Sequence, residues 1–124
     1  MIVAGLGFRR GISAGEIEAA IALALDRLGL APEALGALAT LGDKAGEPGL
    51  QVASRRLGLP LLTCSRDAMR AVADRVVTVS ARAEAAVGVP SVAEGAALVA
   101  AGPSSALLLP RVATAGATCA IAEG

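Results

Sequence analysis

Short apolar runs alternate with amphipathic segments along this 124-residue chain, and that alternation restricts the fold more than any other feature. The runs at residues 2–6, 37–41, 61–64 and 106–109 are almost wholly apolar, with no strict in–out pattern. A strand that is apolar on both sides must be covered on both sides, so helices are expected above and below the sheet. The length suits one domain, residues 1–124.

The segments between the runs carry helix punctuation. Ser13-Ala14-Gly15-Glu16 has capping-box spacing, in which the serine accepts from the third helical N–H and the glutamate reaches back. Ile17, Ala20, Ile21, Ala24, Leu25 and Leu28 then fall on one helical face, and Gly29 is placed to end the helix. A short turn at Pro32–Leu35, a helix over 50–57 closed by Gly58, and a helix over 66–73 capped by Ser65 follow. Residues 76–80, Val-Val-Thr-Val-Ser, have strand propensity. Ser91-Val92-Ala93-Glu94 repeats the capping box and opens a helix that Gly102-Pro103 stops. Residues 118–122 form a last strand able to pair with 106–109. The expected fold is α/β: a three-layer α/β/α sandwich on a mainly parallel sheet of about five strands, with an antiparallel C-terminal edge.

Composition removes many chemistries. With no His, there is no Ser-His-Asp triad, no Cys-His dyad and no His-ligated metal. Eleven basic and eleven acidic residues balance, which argues against nucleic-acid or membrane-surface binding by bulk charge. One Phe, no Tyr and no Trp leave nothing for bases to stack on. The longest uncharged stretch, residues 95–110, is broken by Gly102-Pro103 and falls short of the roughly 20 residues a membrane span needs. No signal peptide is evident, and the expected location is cytoplasmic. Cys64 and Cys119 lack metal-ligand spacing and are expected to be buried and reduced. Neither a metal nor a cofactor is expected. The chain has ten Arg but a single Lys, Lys44.

Two polar segments follow strands, where open α/β sheets bind ligands. Gly5-Leu6-Gly7-Phe8-Arg9-Arg10-Gly11 departs by one residue from the dinucleotide fingerprint, and no acid follows at the required distance. It reads as a tight turn that packs a helix closely. Alternatively, paired arginines beside helical amides form a carboxylate or phosphate receptor. In Asp43-Lys44-Ala45-Gly46-Glu47, Lys44 and Glu47 can form a surface ion pair, with Glu47 capping the helix from Pro48. Alternatively, Lys44 grips an acidic ligand while Glu47 orients it or carries a proton. Arg55-Arg56 reads as a solvated face, and Thr114 and Thr118 as ordinary strand residues.

These motifs, with Gly88-Val89-Pro90-Ser91-Val92-Ala93-Glu94, Leu107-Leu108-Leu109-Pro110-Arg111 and Thr118-Cys119-Ala120-Ile121-Ala122, stand in an order that resembles the cobalamin-biosynthesis family of stand-alone CobE and the CbiG C-terminal domain. The resemblance covers essentially the whole chain. It implies a small α/β/α domain of the corrin-ring pathway that binds a precorrin-like tetrapyrrole, with other pathway enzymes as further partners. Two-domain relatives open the ring lactone of cobalt-precorrin-5A and release acetaldehyde, which would make Glu47 the candidate general base. A third implied role is a docking module without substrate contact. The candidate substrate-binding set is Gly5, Gly7, Arg9, Arg10, Asp43, Lys44, Glu47, Ser91, Glu94 and Arg111. Arg111 stands where the family carries Lys, keeping the charge and adding a planar fork. Gly42 and Gly46 stand where the family is commonly acidic.

Overall fold

Residue order dictates the layers. In the computed structural model, which describes residues 1–81, 83–84 and 88–124, the apolar runs become five strands of one sheet. These are β1 (Ile2–Phe8), β2 (Leu35–Leu41), β3 (Leu61–Cys64), β4 (Ala106–Ala113) and β5 (Ala117–Glu123). Their spatial order is β3-β2-β1-β5-β4. β1, β2 and β3 pair in parallel, whereas β5 is antiparallel to both β1 and β4. Four strands therefore run one way and β5 runs against them, giving the expected mixed sheet with an antiparallel C-terminal edge.

Helices cover both faces. On one side lie α1 (Ala14–Leu28) and α2 (Pro48–Leu57), with Ile17, Ile21 and Leu50 packed on Leu6, Leu38 and Ile121. On the other side lie α3 (Arg66–Ala71) and α4 (Val92–Ala101), with Met69 and Ala96 against Val3, Ala39 and Leu41. Adjacent β1 residues go to opposite cores, which is the period-two signature of a strand buried on both faces. α4 lies unusually close to β1. A Cβ on Gly5 would sit 2.0 Å from the Ala93 carbonyl oxygen, so only glycine permits this approach. Gly5 therefore serves the packing of α4.

Three local expectations need correction. Residues 76–80 are not a strand. Their propensity is overridden because the Val77 and Thr78 amides bond to the Glu94 side chain instead of a sheet neighbour. The third helix ends at Ala71 and gives way to a 3₁₀ turn, Ala73–Arg75. β4 continues past Pro110 to Ala113. This is tolerated because β4 is an edge strand and its register with β5 shifts between Leu109 and Val112.

Candidate functional site

The parallel strands end along one edge of the sheet, and β4 ends there too because it runs the same way. This edge gathers the segment after β1, the segment after β2 and the hairpin turn between β4 and β5. Two contacts join the first two segments. Lys44 Nζ donates to the Phe8 carbonyl oxygen at 3.1 Å, and its ammonium lies 5.8 Å from the Phe8 ring centroid. The Gly11 N–H donates to Glu47 Oε1 at 2.7 Å. Gly11 takes φ of 83°, a left-handed conformation that a side chain would strain.

Between these segments and the hairpin turn lies a cleft of about 480 Å³, within the usual range for small-molecule sites. Arg9, Lys44 and Arg111 line it, together with Gly7, Phe8 and Val92. Ser80, Thr114 and Thr118 contribute hydroxyls. No carboxylate lines it among the described residues. Elsewhere the carboxylates do meet cations: Asp43 pairs with Arg66, Asp67 with Arg70 and Glu18 with Arg56. The cleft is therefore locally cationic on a protein with no net charge.

Of the sequence-derived candidates, Gly7, Arg9, Lys44 and Arg111 reach this cleft. Arg10 is exposed and outside the lining. Asp43 is engaged by Arg66. Glu47 sits at the N-cap of α2, but its side chain makes no cap bond and neither does it pair with Lys44. The Gly11 amide and the Phe8 carbonyl take those two side chains instead. Ser91 caps α4, accepting from the Glu94 N–H at 3.3 Å.

Glu94 is fully buried. Its Oε1 accepts from the Val77 and Thr78 amides at 2.7 and 3.0 Å, and its Oε2 accepts from the Arg111 amide at 3.0 Å. It lies behind the cleft wall instead of in the cleft. Burial pushes its carboxyl upward, but the Thr78 hydroxyl and the amides of Arg111, Thr78 and Val77 outweigh burial and hold it below the usual carboxylate range.

Nothing in the local sequence marked Ser80 or Val92 as lining. Ser80 reaches the cleft because the 76–80 segment is tied down at Val77 and Thr78 by Glu94 and at Ser80 itself, whose N–H donates to the Pro90 carbonyl at 2.8 Å. The hairpin turn had a weak signal in Gly116, where a Cβ would meet Ile12 and Glu16 within 3 Å. Thr114 and Thr118, read as strand residues, also reach the cleft while bonding to the Ala117 and Gly7 carbonyls.

Other chemistries find little material. Cys64 and Cys119 are free and buried, and burial raises both thiols, Cys119 to about 12. Among the described residues no cluster of His, Cys, Asp and Glu could hold a metal ion, and no helix is long and apolar enough to cross a membrane.

The family profile described as Cobalamin synthesis G C-terminus matches residues 2–122. Protein CobE of Sinorhizobium sp is 36% identical over 121 residues, spanning 98% of this chain and 79% of the relative. The crystal structure of CobE, a protein from the cobalamin (vitamin B12) biosynthetic pathway, superposes with a TM-score of 0.93 at 32% identity, covering 98% of this chain and 89% of that one. Cobalamin biosynthesis protein chiG from Agrobacterium tumefaciens str. C58 matches with a TM-score of 0.78 at 36% identity, covering 99% and 98%.

Proposed function

This chain belongs to the Cobalamin synthesis G C-terminus family and is a cobalamin-biosynthesis protein, and on that footing we propose that it binds a precorrin-type tetrapyrrole through the ligand's carboxylates. The observation that carries the reading is the cleft lined by Arg9, Lys44 and Arg111, with no carboxylate lining it among the described residues. Corrin intermediates are apolar macrocycles fringed with acetate and propionate groups. They call for an apolar floor, supplied here by Phe8, Val92 and the alanines of the hairpin turn, and for cationic donors at the rim. The lactone-opening alternative has weaker support, because one oxygen of its candidate base, Glu47, is occupied by the Gly11 amide.

The test is a visible-absorbance titration with uroporphyrin, a carboxylate-fringed porphyrin, beside its neutral esterified analogue. The acid should bind and the ester should not. Lys44→Ala should weaken binding by about ten- to a hundredfold, the worth of a charge-assisted hydrogen bond in a partly desolvated site. Lys44→Arg should be milder, since charge persists with altered geometry. Equal binding of acid and ester, or unchanged affinity in Lys44→Ala, overturns the reading.

A further inference from the structure

Two walls of the cleft hang on one buried side chain. Arg111 belongs to one wall and the 77–80 segment leads into the other, at Ser80. Arg111 falls in the stretch where the β4–β5 register shifts, and its amide turns to Glu94 Oε2. Val77 and Thr78 give their amides to Oε1 of the same carboxylate. No ion pair engages Glu94 among the described residues, so backbone amides and the Thr78 hydroxyl carry its charge.

We infer that Glu94 is a positioning residue of the binding cleft, fixing Arg111 and the 77–80 segment in register so that the Arg111 guanidinium stays free to meet a ligand carboxylate. The inference rests on the tetrapyrrole-binding reading. Its physical basis is that the carboxylate bonds to the backbone of Arg111, not to its guanidinium. A carboxylate on the guanidinium would neutralise the charge the ligand needs. A carboxylate on the backbone amide, buried behind the wall, holds the residue without competing for its side chain. Gln cannot substitute. Its one oxygen can serve Val77 and Thr78 or Arg111, while its NH₂ would face an amide donor on the other side.

A double-mutant cycle tests the assignment, with uroporphyrin as probe and affinity as readout. Glu94→Gln should weaken binding by about tenfold in the wild-type background, and by less than about twofold when Arg111 is already Ala. Similar losses in both backgrounds overturn the assignment, because a merely structural defect does not depend on the Arg111 side chain. A second measurement needs only wild-type protein, in case Glu94→Gln does not fold. By linkage, if the Glu94 bonds favour the ligand, the ligand must strengthen them. Saturation with uroporphyrin should then slow hydrogen exchange at the Arg111, Val77 and Thr78 amides together. Binding without that protection overturns the role of Glu94 while leaving the binding reading intact. Failure of wild-type protein to bind the porphyrin overturns both.

Discussion

Ser13-Ala14-Gly15-Glu16 and Ser91-Val92-Ala93-Glu94 carry the same four-residue capping pattern. In both, the serine hydroxyl accepts from the glutamate N–H, at 3.2 and 3.3 Å. The glutamate side chains then diverge. Glu16 is exposed at the start of α1, whereas Glu94 is fully buried and bonds to three backbone amides from two distant segments. Neither side chain is found closing the box on its own serine. A capping pattern thus identifies where a helix begins, but where that beginning lies in the fold decides whether its acid becomes a surface charge or a buried anchor.

The largest separation between the two is expected in stability. Glu94→Ala strips three partly buried amides of their acceptor and leaves a void where a fully buried side chain stood, at a cost of about 3 kcal/mol. Glu16→Ala should stay within about 0.5 kcal/mol, as at an ordinary surface site. Urea denaturation of both variants measures the gap, and comparable losses would break the comparison.

Acid should sharpen it. The Glu94 carboxyl is lowered in the folded protein. Its contribution is therefore fully present above the unfolded carboxylate value, about 4.3, and is lost as pH falls through the lower folded value. The stability difference between wild type and Glu94→Gln should shrink over that acidic window and stay flat from there to neutrality. A difference that instead grows on acidification would mean the carboxyl is raised.

The serines should differ less. Ser13→Ala and Ser91→Ala each remove one cap, worth about 1 kcal/mol. Ser91 should be the costlier, because its surroundings are buried and water cannot replace the bond. Smallest is Glu47, the other acid whose side chain accepts from a backbone amide among the described residues. Its partner Gly11 is exposed, so Glu47→Ala should cost under about 1 kcal/mol and Glu47→Gln, which keeps the acceptor, almost nothing. Thermal melts of the pair check this, and a large loss in Glu47→Gln would show that its charge matters.

The strands at residues 2–6, 37–41 and 61–64, the cap residues and the glycine stops were all legible, because each depends on side chains within a few positions of one another. So were Arg9 and Lys44, since charge after an apolar strand is visible without coordinates, whereas Arg111, which lies inside β4, was singled out only by the family resemblance. The role of Glu94 was hidden. Val77, Thr78 and Arg111 lie 17, 16 and 17 residues from it, and no local pattern records such pairings. The same distance effect misplaced residues 76–80, whose Val-rich pattern states a preference for extended backbone but not which acceptor its amides will find.

Sequence alone therefore determined the layers: apolar runs that need cover on both faces, helices with marked starts, and cations at strand ends. Tertiary structure decided which of those cations share a cleft and which acids stay out of it. The physical reason is range. Propensity, capping and amphipathicity are energies of near neighbours along the chain, whereas a buried carboxylate is stable only where folding delivers enough N–H donors to replace the water it has lost.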